Sequence, residues 1–221
     1  MTASFAPRLR RGALAAFLGL GSLALAACAL PVNRQPVQQS YRLTAPDIRT
    51  APLPQPTVIQ LLPVRAAAGF QSSAMMYSRS PDTLETYRDS RWLAAPAQLV
   101  GEAIARTLSR QPWVSAVQRQ AVLVNAPWAL HCSLNRLEHD VHGDLGSVHL
   151  DLVCELANQR TSRIAAHWHF DGSQAIKLND AAHFAQGAQT LLDQALKGIV
   201  DHPRAAVAQS SGEAGQPRES N

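Results

Sequence analysis

The sequence is poor in several things that would simplify a functional assignment. Aromatic residues make up 5% of the 221 positions and charged residues 16%. There is no glycine-rich phosphate loop, no nucleophile elbow and no cysteine–histidine pair at a recognisable catalytic or zinc spacing. No internal repeat is visible, so a solenoid or propeller is excluded. The uncharged stretch before Cys28, Gly12 to Ala27, is sixteen residues of mostly glycine, alanine and leucine. That falls short of the roughly 20 residues a membrane-spanning helix needs. Nor is there a basic surplus of the kind a nucleic-acid binder carries, although 20 bases face 16 acids and the pI is about 9.3. Arg8, Arg10 and Arg11 lie in a leader without acids, and the remainder is near neutral. The 46% hydrophobic content suffices for one ordinary core.

What is present begins with an address. Three arginines, an apolar run and small residues before Cys28 form a bacterial secretory signal over residues 1–27. Leu25-Ala26-Ala27-Cys28 matches the lipobox of bacterial lipoproteins. It implies a diacylglyceryl thioether on Cys28 and an acylated amino terminus, palmitate among the chains. Several acyl chains anchor stably where one is marginal. Ala29 follows where an aspartate would mark retention in the inner membrane, so the periplasmic face of a Gram-negative outer membrane is the expected destination.

Residues 28–56, with six prolines, read as an extended tether, with Tyr41-Arg42-Leu43 a short candidate strand. Residues 57–202 read as a single α+β domain: a mixed or antiparallel sheet, a long hairpin and two amphipathic helices. Thr57–Val64 is nearly continuously apolar and predicts a central strand covered on both faces. Residues 73–78 and 84–92 give two more strands. Pro96 suits the first turn of a helix carrying Leu99, Val100, Ala103, Ile104 and Leu108 on one stripe. Val114–Val117 and Ala121–Val124 are short strand candidates. Residues 129–139 and 147–157 alternate about a Gly143/Gly146 turn as a hairpin, with 163–170 a further strand. Asp180 is placed to cap a last helix ending near Val200. From Pro203 onward, over residues 203–221, the composition predicts a disordered tail.

Cys132 and Cys154 would face each other across a hairpin centred on Gly143. That permits a disulfide in an oxidising compartment, with two buried thiols as the alternative if the register slips by one. His139-x-x-His142 with His149, and His167-x-His169, invite a metal but lack a supporting ligand pattern; no metal or cofactor is expected. Trp92, Trp113, Trp128 and Trp168 suit core or interface anchors.

The lipobox, Tyr41-Arg42-Leu43, Gly69-Phe70, Met76-Tyr77 with Arg79, and Leu84-x-x-Tyr87-x-x-Ser90-Arg91-Trp92 before Pro96 resemble the ABC-type transport auxiliary lipoproteins, the group of paraquat-inducible C-like proteins. The resemblance covers about Tyr41 to Val200. It implies a non-enzymatic component working beside an ABC permease, its ATPase and a periplasmic MCE-domain protein in moving lipid between membranes, with no nucleic-acid partner. Because the resemblance is most specific between Met76 and Pro96, Tyr77, Tyr87, Arg88, Arg91 and Trp92 are the candidate partner-binding residues; they are also types enriched at interface hot spots. A homo-oligomer is compatible with the sequence. Two other classes compete: an outer-membrane assembly lipoprotein of a different machine, and a cell-envelope hydrolase built from scattered Ser, His and Asp.

Overall fold

A computed structural model describes residues 38–120 and 125–213. Cys28 and the strand candidate at 121–124 lie outside these residues. The chain order is β1 Gln39–Tyr41, β2 Thr57–Leu61, β3 Arg65–Ala66, a 3-10 turn Ala68–Phe70, β4 Ala74–Ser78, β5 Glu85–Trp92, α1 Pro96–Ser109, β6 Val114–Gln118, β7 Trp128–His142, β8 Leu145–Asn158, β9 Arg163–Ile176 and α2 Ala181–Glu213. The domain is α+β, with one mixed nine-stranded sheet and both helices packed on it.

Three long antiparallel strands, β7, β8 and β9, are the spine. The other edge of β7 is shared in series by three short parallel partners: β2 beside Trp128–Leu130, β3 beside Ser133–Leu134 and β4 beside Glu138–Asp140. β6 extends the first wing and β5, then β1, the last.

The β7–β8 turn is two residues, Gly143 and Asp144, and Gly143 has a φ of 61° that an L side chain rarely adopts. Strict register from the pair His142 and Leu145 would place Cys132 opposite Glu155, one residue beyond Cys154. A bulge at Asn135 absorbs the odd residue, so Cys132 pairs directly with Cys154. Their sulfurs are bonded and the Cα atoms are 4.2 Å apart. The bulge also switches which residues of β7 face the helices, from Leu130, Cys132 and Leu134 to Leu137 and His139.

Pro96 occupies the first turn of α1, and the expected stripe Leu99, Val100, Ala103, Ile104 and Leu108 is buried. Asp180 caps α2: its Oδ1 accepts from the His183 amide at 2.8 Å, and that bond, ahead of the His183 side chain, holds its carboxyl below the usual range. Phe184, Ala188, Leu191, Leu192, Ala195, Ile199 and Val200 then face the sheet.

Three expectations are corrected. β2 lies inside the sheet, but only Ile59 and Leu61 are buried, while Val58 and Gln60 are half-exposed; β2 has a helix layer on one face only. The last helix does not stop near Val200. It runs through Pro203 to Glu213, because Ala206 and Val207 are buried in the core. That burial, with Arg204 Nε donating to Ala51 O at 3.0 Å, offsets a helical proline that costs about 3 kcal/mol.

Thirdly, the proline-rich segment is not free as far as residue 56. Leu43 is buried, Ile48 and Leu53 are half-buried, and two glutamines bind the backbone of this strap. Gln189 accepts from the Thr44 amide at 2.8 Å and donates to the Thr44 carbonyl at 3.0 Å. Gln111, almost wholly buried, accepts from the Thr50 amide and donates to Ile48 O at 2.7 Å. A segment whose prolines and extension deny it ladder partners thus has its polar groups satisfied by side chains.

Candidate docking surface

β4 and β5 carry all five candidate partner-binding residues, but they do not form one patch. The register between the strands jumps from Ala74 opposite Arg91 to Met76 opposite Thr86. β5 therefore holds three more residues than β4 across this interval, and its faces change there. Trp92 is fully buried, its ring edge-on to Phe184 at 5.3 Å and 72°. It is a core residue, and its place among the binding residues is withdrawn: the end of β5 lies directly under α2.

Tyr87 is half-buried. Its hydroxyl is 2.7 Å from His139 Nδ1, and its ring lies 6.2 Å from that imidazole and 6.3 Å from Phe184. Burial, with Asp180 nearby, drives its phenol far above the ordinary value. His139 is fully buried, and burial pushes its pKa down. Its other nitrogen, Nε2, is 3.2 Å from Asn179 Oδ1, whose amide nitrogen donates to Gly143 O at 3.0 Å and Leu145 O at 3.3 Å. A neutral imidazole protonated at Nε2 satisfies the chain: it donates to Asn179 and accepts from Tyr87. Asn179 sits so close over Gly146 that a Cβ there would meet its Oδ1 at 2.0 Å. His139, considered in the sequence only as a metal candidate, instead locks β5, the hairpin turn and the entry to α2 together. Its burial follows from the Asn135 bulge, which carries no signal in the sequence.

The surface members are Tyr77, Arg88 and Arg91. Tyr77 donates to Glu85 Oε2 at 2.8 Å and accepts from Arg79, whose guanidinium carbon lies 5.2 Å from the ring centre. The Glu85 bond, ahead of partial burial, raises the Tyr77 pKa. Arg88 is open to solvent, 4.0 Å from Asp89. Arg91 Nε is 3.4 Å from Ser40 Oγ on β1. The two arginines line a shallow concavity of about 410 Å³ with Gln38, Ser72, Ser73 and Thr86.

The opposite face of the spine carries a polar cleft of about 620 Å³ under the 79–84 loop. Arg136 bridges Glu138 and Asp140; His149 Nε2 is 3.0 Å from Asp140 and His169 Nε2 3.0 Å from Asp151. Ser147 Oγ also approaches His149, at 3.1 Å, but on the same Nε2 that faces Asp140. A serine–histidine–acid relay needs the two partners on opposite ring nitrogens, so these residues have no relay geometry. Among the described residues no three His, Cys, Asp or Glu side chains converge as metal ligands do. Trp113, Trp128 and Trp168 are buried with Trp92. No helix among the described residues is long and apolar enough to cross a membrane.

Comparison with known proteins adds three findings. Residues 41–200 match the profile of a family described as the ABC-type transport auxiliary lipoprotein component. No curated protein matches the chain. Among solved structures, a Xanthomonas campestris protein assigned to family DUF330 superposes with a TM-score of 0.64 at 20% identity, over 77% of this chain and 99% of that one. A second, of an uncharacterised protein, gives 0.56 at 13% identity over 71% and 96%. At these identities the structures speak to the shared fold.

Proposed function

This chain belongs to the ABC-type transport auxiliary lipoprotein family, and from that premise we propose that it is the lipid-anchored docking component of an ABC/MCE-type system that moves phospholipid or another hydrophobic compound between membranes. The observation that carries the reading is the profile match across 41–200, which spans every described element between β1 and the middle of α2. The lipobox at Cys28 supports acylation and attachment to the periplasmic face of the outer membrane. The chain acts by binding rather than catalysis: energy and chemistry come from the partner ATPase, and the Ser147–His149–Asp140 grouping lacks relay geometry. The docking surface for the MCE-domain partner is the exposed flank of β4 and β5, with Tyr77, Arg88 and Arg91 making contact and Tyr87 holding the strand in place.

Two measurements test this. Intact mass spectrometry of detergent-extracted protein should show loss of residues 1–27 and added acyl mass. Arg88→Ala and Arg91→Ala should weaken co-purification with the MCE-domain partner without lowering the melting temperature, since both side chains are exposed. Unmodified protein would refute the anchor. Undiminished co-purification in the double variant would remove this flank from the interface.

A further inference from the structure

Among the described residues five large apolar side chains are exposed, and the two flanking Asn179 and the β7–β8 turn lie at one end of the sheet. Leu145, 76% exposed, follows the Gly143–Asp144 turn. Leu178, 57% exposed, lies in the connection from β9 to α2 that Asn179 ties to the carbonyls of Gly143 and Leu145. Leu84, 41% exposed, instead packs over Gly69 and lines the polar cleft. Single exposed leucines are ordinary, but two this exposed, tied side by side through Asn179 at one tip, form a small apolar surface. Charge does not explain it: Arg79 and Lys177 there are matched by Asp82 and Asp144.

The path of the chain identifies what this end faces. β1 runs parallel to β5, with Gln39 opposite Ser90 and Tyr41 opposite Trp92. β5 itself runs away from the leucine end, so the chain reaches β1 from that end, and Gln38 is bonded to Arg88 O. Through β5 and β4, Gln38, one step before Gln39, stands near the level of Glu138 on β7. From there His142 is four residues off, about 13 Å, and Trp128 ten residues off, about 33 Å. Ten residue steps separate Cys28 from Gln38, a span of at most about 36 Å. An anchor at Cys28 reaches the leucine end easily, and reaches the Trp128 end only if the chain doubles back at full extension.

We infer that Leu145 and Leu178 form a membrane-contacting tip that rests on the phospholipid surface holding the acylated Cys28. The inference depends on the acylation proposed above. The leucines sit in the headgroup–acyl boundary, about 5–10 Å deep, as apolar faces of interfacial elements do. The β4–β5 flank and the open face of the spine are thereby left free for protein partners.

The test uses full-length acylated protein carrying Leu145→Cys, Leu178→Cys or Ile164→Cys. Ile164 is the control: it is 55% exposed, and its β8 partner Ala157 pairs with Ala129 at the far end. With Cys132 and Cys154 bonded, only the introduced thiol takes a polarity-sensitive dye. Each protein is incorporated into phosphatidylethanolamine–phosphatidylglycerol vesicles with a nitroxide near the headgroups, and flotation is measured alongside emission. The expected result is flotation of all three, loss of most emission at positions 145 and 178, and little loss at 164. Flotation with bright dyes at 145 and 178, or with equal quenching at 164, overturns the tip and leaves the anchor standing. Protein that does not float overturns both.

Discussion

Reducing the Cys132–Cys154 bond, which closes a sequence separation of 22 residues, should cost the domain about 3.4 kcal/mol at 25 °C by the chain-entropy relation for a loop of that size. In a domain of this length 1 kcal/mol corresponds to about 2–4 °C, so the melting temperature should fall by about 10 °C. The sulfurs are buried at the centre of the spine, so a Cys132→Ala/Cys154→Ala variant should fall further, by about another 1 kcal/mol for each lost sulfur contact. Thermal unfolding followed by near-ultraviolet circular dichroism, with and without dithiothreitol, measures the first shift. Cys28, acylated under the proposal above, would have no thiol to respond. The reasoning fails if reduction leaves the melting temperature unchanged, or if oxidised protein unfolded in denaturant yields two alkylatable thiols.

Stability should decline as pH falls below about 6.5, the unfolded value for histidine. His139 is depressed in the fold, so the unfolded chain binds more protons between the folded value and 6.5, and stability there rises with pH by up to about 1.4 kcal/mol per unit. Denaturant melts of wild type and His139→Gln across pH 5–8 should differ by that slope; parallel curves would deny the burial argument. Gln111→Ala should destabilise by about 1–3 kcal/mol, because Thr50 N and Ile48 O lose a shared partner. Hydrogen exchange at the Thr50 amide should quicken, and unchanged exchange would mean that the strap is held otherwise.

The parts of the fold legible in the sequence are those governed by local signals. Pro96 with its three- and four-residue stripe gives α1; Asp180 gives the start of α2; alternation about Gly143 gives the hairpin. What the sequence hides is non-local. The Asn135 bulge moves His139 into the core, and the three-residue excess in β5 sends Trp92 inward while Arg88 and Arg91 stay outside; neither breaks any pattern that composition reveals. The strap and the last turns of α2 escape for one reason. Pro46, Pro52 and Pro203 argue against regular structure locally, and their stabilising contacts, with Gln111, Gln189 and between Arg204 and Ala51, join residues 61 to 153 positions apart. The resemblance is most specific between Met76 and Pro96, a stretch the structure divides between core and surface.

The serial pairing of β2, β3 and β4 along one edge of β7 sets an order of assembly. All three precede Trp128–His142 in the chain, so as the polypeptide emerges amino terminus first only the β1–β5, β4–β5 and β2–β6 pairs can form, and nothing joins the two wings until β7 is out. β7, β8 and β9, by contrast, need only neighbouring sequence to pair, and contacts of short sequence separation form fastest. The amino-terminal half therefore holds two separate wings without a common sheet, and the late-arriving spine joins them.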